Sequence, residues 1–217
     1  MYPIHVFKEG GYRYLPSVFQ YSAGVAAEPG FQLVQARFSS VLPIQEAFIR
    51  IEQYLYNIGR PLTAFAHCEL RSPKQFDDQG FVAFNRQYVS TLERWGIYQA
   101  EGQGNSFRNS VARTNVCPEY FGPSEVGMYS FAYTVPSNTD HLKSFILSGG
   151  GDARSGPESY RERIVAYGDT SEAGMRVKMG FVANEMNQRL ISLGFDWNDV
   201  TSAQAYSVPV SYTHLTL

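Results

Sequence analysis

Apolar positions along this chain recur with two periods, and the switch between them marks its elements. Residues 18–24 (Val-Phe-Gln-Tyr-Ser-Ala-Gly) and 31–38 read as two short strands parted by the turn signal Glu28-Pro29-Gly30. Pro43 then takes the place of a first helical residue. Ile44, Ala47, Phe48, Ile51, Leu55 and Ile58 follow at helical spacing until Gly59 stops them. Leu62 to Leu70 alternates loosely as a strand. A second helix sets Phe81, Phe84, Tyr88, Leu92 and Trp95 on one face and ends near Gly96. A loop of Gly, Gln, Asn and Ser leads to strands over 110–116 and 127–135. Residues 18–135 therefore read β-β-α-β-α-β-β, an α+β layer pair in which one sheet carries two helices on one face.

After Pro136 the pattern restarts. Phe145-Ile146-Leu147-Ser148-Gly149-Gly150 repeats the sense of Phe19-Gln20-Tyr21-Ser22-Ala23-Gly24, and a third helix displays Met175, Met179, Val182, Met186, Leu190 and Leu193 before Gly194. Leu190 and Gly194 stand 135 positions after Leu55 and Gly59, and the same shift pairs Phe65 with Val200. Two tandem copies are expected, over 1–135 and 136–209, the second incomplete after a strand at Val200–Val208. The segment Val210-Ser-Tyr-Thr-His-Leu-Thr-Leu resembles the translated read-through of a sequencing-library adapter. On that reading residues 210–217 are foreign and the natural chain is cut near Pro209; the alternative is an ordinary final strand.

Composition narrows the partners. The 217 residues are 44% hydrophobic and 15% aromatic, enough for a buried core and against disorder. Basic and acidic residues number 18 and 20, for a net charge of -2, and no stretch carries the basic excess of a nucleic-acid binder. No apolar run approaches the ~18–20 residues of a membrane span, and Met1–Gly10 shows no secretory signal. Two cysteines, Cys68 and Cys117, and no glycosylation sequon fit a reducing cytoplasm.

The common catalytic motifs are absent: no HExxH, CxxC or GxSxG, and Gly149-Gly150-Gly151-Asp152 leads to no Gly-Lys-Ser/Thr. His5, His67 and His141 are scattered, so no metal site is expected, and Cys68 reads as a small core residue. Val111-Ala112-Arg113-Thr114-Asn115-Val116 is more informative. In a strand, Arg113 shares a face with Val111 and Asn115, and an arginine on an inner sheet face needs a partner. Its fork fits a substrate carboxylate in two parallel hydrogen bonds, or equally a neighbouring Glu or Asp.

Three pieces, in order, resemble the Rid family of reactive intermediate deaminases, also called the YjgF family. They are Tyr21-Ser22-Ala23-Gly24 followed by a helix with Gln45, Phe81 with Asn85 and Tyr88, and Val111-Ala112-Arg113-Thr114-Asn115-Val116. The resemblance implies a chorismate-mutase-like fold, usually trimeric, so a homo-oligomer or an intramolecular pseudo-oligomer. It implies hydrolysis of enamines and imines, such as 2-iminoacids or 2-aminomuconate, to keto acids and ammonia with no metal or cofactor. Arg113 would clamp the carboxylate, and Ser22, Asn115 and Tyr88 would bind substrate beside it. Asn115 stands where the family often has Cys. Met128–Ser130, where its acidic residue would fall, holds no carboxylate, with Glu119 and Glu125 lying earlier; only Tyr12 or Tyr14 stands in for its Gly-Pro-Tyr-Ser segment. Two other readings stay open: a non-catalytic carboxylate binder or sensor of the same fold, and an assembly subunit with one copy inactive.

Overall fold

The computed structural model describes residues 2–73, 78–101, 106–118, 120–139, 143–156 and 158–207. Residues 210–217, Val208, His141, Glu119 and the Phe81 side chain lie outside the described residues. The strands are β1 (His5–Phe7), β2 (Tyr12–Leu15), β3 (Gly24–Ala27), β4 (Phe31–Pro43), β5 (Phe65–Arg71), β6 (Tyr98–Glu101), β7 (Ser106–Asn109), β8 (Ala112–Val116), β9 (Gly127–Pro136) and β10 (Phe145–Leu147). The helices are α1 (Ile44–Asn57), α2 (Asp78–Arg94), α3 (Tyr160–Arg163) and α4 (Glu172–Leu193). None of the described helices is long and apolar enough to cross a membrane. The fold class is mixed α+β.

One sheet runs β4-β9-β5-β8, with only β5 and β8 parallel, and a second runs β1-β2-β3-β10. They meet along β8. The Ser22 amide donates to the Val111 carbonyl at 2.8 Å, and the Gly149 amide donates to the Arg113 carbonyl at 3.3 Å. Residues after β9 thus return to complete the N-terminal sheet, where β10 pairs with β3.

α1, α2 and α4 form where their apolar spacing predicts, whereas the single turn α3 was not signalled. α1 buries Ile44, Ala47, Phe48, Ile51 and Leu55 on the first sheet, and α2 buries Tyr88, Val89 and Leu92 beside it, with Trp95 buried just past its end. Phe48 links the two helices, with its ring 5.2 Å from Trp95 and 5.8 Å from Tyr88. α1, α2 and α4 stop by one device. Gly59, Gly96 and Gly194 adopt φ of 67°, 74° and 88°, and the next residue's amide reaches back to a fully buried leucine carbonyl: Arg60 to Leu55 at 2.8 Å, Ile97 to Leu92 and Phe195 to Leu190 both at 2.9 Å. A residue with a Cβ pays strain at such φ, so glycine fixes the stop locally.

The strand expectations need correction. Residues 18–24 are not one strand: Val18 and Tyr21 close a tight turn on each other, and the strand starts at Gly24. The strand expected over 31–38 continues to Pro43, making Ile44 the first helical residue. β1, β2 and the β6–β7 hairpin were not signalled; the hairpin's polar residues read as loop, yet Tyr98 and Asn109 face each other in a ladder. Residues 200–207 of the expected strand Val200–Val208 form none, because no strand lies beside them among the described residues to complete a ladder. Of the apolar face of α4, Leu190 and Leu193 reach a second core with Leu15, Ala23, Ala26 and Phe195, whereas Met179 is exposed.

Candidate active site

β8 is buried on both faces at its start, and its second residue is Arg113. Side chains alternate along β5 and β8, so Arg113 and its ladder partner Cys68 face the helical layer. The guanidinium lies among three aromatic rings from two elements. Its carbon is 4.8 Å from the Tyr88 ring centre and 5.9 Å from that of Phe84, two residues one turn apart on α2. The third ring, Tyr21 at 5.0 Å, comes from the tight turn before β3. Tyr88 is the floor, fully buried; Tyr21 and Phe84, half-buried, are the outer walls.

Arg113 is 4% exposed, yet among the described residues no carboxylate lies within ion-pair distance of it. Its Nη1 is buried without an acceptor among the described residues. The protic groups at its side are neutral. Burial pushes the Cys68 thiol up to about 11, with its sulfur 3.4 Å from the Tyr88 hydroxyl, and burial raises the Tyr88 phenol as well. A buried cation without a counter-charge is costly, and an arriving anion relieves that cost.

The strand is fixed independently of the side chain. Ser148, beyond β10, accepts the Arg113 amide on its hydroxyl at 2.9 Å and donates that hydroxyl to the Ser22 carbonyl. Nothing in the sequence pointed to Ser148, whose contact with β8 spans 35 positions.

Of the four residues singled out beforehand, Arg113 and Tyr88 come together. Ser22 lies beside Ala112 in a single parallel bridge, but it is fully buried and its hydroxyl donates to the Ser110 carbonyl at 3.0 Å. Asn115 is exposed further along β8, opposite Leu70, and its Oδ1 accepts from the Ser72 hydroxyl at 3.0 Å. Cys68, read as a core residue, is buried and also stands against Tyr88, as does Phe84. Met128–Ser130 lies on β9, which β5 separates from β8. Glu69 pairs in register with both Ser130 and Thr114, but it points to the opposite face from Cys68 and holds Arg71 at 3.4 Å.

Three comparisons bear on this geometry. The family model described as 2-aminomuconate deaminase CnbZ matches residues 4–216. A protein named 2-amino-5-chloromuconate deaminase, from Comamonas testosteroni, is 55% identical over 204 residues, covering 94% of this chain and 79% of that protein. No solved structure matches.

Proposed function

The chain belongs to the 2-aminomuconate deaminase CnbZ family, and we propose that it hydrolyses a 2-aminomuconate-like enamine or a 2-iminoacid, with Arg113 holding the substrate carboxylate. The observation that carries the reading is the buried Arg113 guanidinium with no carboxylate beside it among the described residues. Protonation of the enamine carbon gives an iminium conjugated to the carboxylate. Water adds to the C=N carbon of that iminium, a proton passes from the added water to nitrogen, and the carbon–nitrogen bond breaks to release ammonia and the keto or hydroxy acid. A fork that fixes the carboxylate positions the electrophilic carbon, and no activated nucleophile is needed. Tyr88 and Cys68, both neutral, supply protic groups beside the cation.

The test is ammonia release from in situ generated 2-aminomuconate by the wild type and by Arg113→Ala. A charge-assisted pair of hydrogen bonds is worth about 3 kcal/mol, so loss near a hundredfold is expected. Unchanged turnover in Arg113→Ala refutes the assignment. A second reading, a carboxylate sensor of the same fold, fits the lack of a carboxylate at Arg113 among the described residues equally well. Thermal stabilisation by keto acids with no ammonia released selects that reading.

The finer organisation belongs to the same proposal. Residues 1–135 and 136–209 are read as two Rid-like repeats. The 3-10 turns at Leu62–Ala64 and Trp197–Asp199, each just after a glycine-stopped helix, support this. Each residue of the second turn lies 135 positions after its counterpart. Assembly as a homo-oligomer or pseudo-oligomer in the cytoplasm completes the reading. Two unpaired cysteines, Cys68 and Cys117, support a reducing compartment.

A further inference from the structure

A second arginine stands in a cleft separate from the Arg113 cage. His5, Tyr14, Pro16, Ser17, Phe107, Arg108 and Asn109 line a space of about 90 Å3 where β1 and β2 face β7. Arg108 reaches from β7 across to β1, its guanidinium carbon 5.5 Å from the Phe7 ring centre. Its Nε is buried with no acceptor, and no carboxylate among the described residues lies within ion-pair distance. Among the described residues, no Asp or Glu lines the cleft.

The surroundings define the anion. Asn109 takes no part in binding, because its amide donates to the Phe19 carbonyl at 2.9 Å and its Oδ1 accepts the Val111 amide at 3.1 Å. That leaves one cation, the exposed imidazole of His5, the exposed hydroxyl of Ser17 and the phenol of the buried Tyr14 as polar side-chain groups. The rings of Tyr14, Pro16 and Phe107 form the walls. The volume equals roughly three waters of liquid. A carboxylate with a short carbon stub satisfies the fork at one end and the rings at the other; a fully hydrated oxyanion leaves the rings unmatched.

We propose that this cleft is a second carboxylate-binding site, specific for a short organic carboxylate held by Arg108. It shares no lining residue with the Arg113 cage and does not depend on the deaminase reading.

The experiment follows the Arg108 Nε–H resonance, assigned by its loss in Arg108→Lys, at constant ionic strength while sodium propionate is added to the full chain. Saturable movement with a millimolar dissociation constant is expected from the small size of the probe. Arg108→Gln, followed by the neighbouring Phe107 ring signals, should weaken binding at least tenfold. Ser17→Glu changes only an exposed rim position and should weaken propionate comparably, by supplying an internal carboxylate. Arg113→Met should bind propionate as the wild type does. Inorganic phosphate should bind at least tenfold more weakly than propionate. Absence of saturation, undiminished binding in Arg108→Gln or Ser17→Glu, or loss of binding in Arg113→Met overturns the site. Phosphate binding as tight as propionate overturns its carboxylate class. Failure of ammonia release with intact propionate binding strikes the deaminase reading alone.

Discussion

Replacing Arg113 by Met separates a guanidinium kept for binding from one kept for stability. In the wild type the buried Nη1 without an acceptor costs about 1–3 kcal/mol, and desolvating the cation adds to that. Against this stand three ring contacts at 4.8, 5.0 and 5.9 Å. Each contributes roughly 0.5–2 kcal/mol. Met keeps most of the buried volume and replaces those contacts with sulfur–aromatic ones of about 0.3–1.5 kcal/mol. The terms nearly cancel, with a residue of about 1 kcal/mol in favour of Met. The urea midpoint at unchanged slope should therefore stay level or rise, equivalent to roughly 2–4 °C in melting temperature. Ammonia release should be lost in the same protein. A keto acid at a hundred times its dissociation constant should stabilise the wild type by about 2.7 kcal/mol and leave the variant unmoved. Destabilisation of Arg113→Met by more than 2 kcal/mol would show that the cation holds the fold together, and the argument for a vacant clamp would fail.

Three further outcomes test the surroundings of the site. Burial lowers the His67 imidazole from 6.5 to about 3, so between those values the unfolded chain binds a proton that the folded one refuses. Stability is full above pH 6.5 and falls as the pH drops toward 3, by up to about 1.4 kcal/mol per unit; His67→Gln should flatten the urea midpoint against pH, and parallel curves would contradict the burial. The raised Cys68 thiol should resist iodoacetamide at pH 8 in the native protein while the exposed Cys117 reacts, as mass spectrometry of peptides will show. Ser148→Ala strands the buried Arg113 amide and should cost about 1–3 kcal/mol in urea unfolding, with no cost if water takes its place.

The parts of this protein that the sequence declared are those whose energetics are local. α1, α2 and the end of α4 follow from apolar residues three and four apart, and each stop follows from a glycine four positions after a leucine. Arg113 stood out by its motif, and Tyr88 by its place in a second one. The rest was settled between separate segments. The strands β1 and β2 and the β6–β7 hairpin exist because a neighbouring strand accepts their backbone groups, which the residues of one strand alone do not display. Residues 200–207 make the same point in reverse, being strand-like in composition but without a described neighbour. The site is of this second kind. Arg113 is written in β8, but its cage joins a turn near residue 21 to α2, its backbone is pinned by Ser148, and the absence of a described carboxylate beside it depends on where every strand runs. Helix signals reside in bonds between residues four apart, whereas strand pairing and charge compensation depend on contacts that only the folded chain brings together.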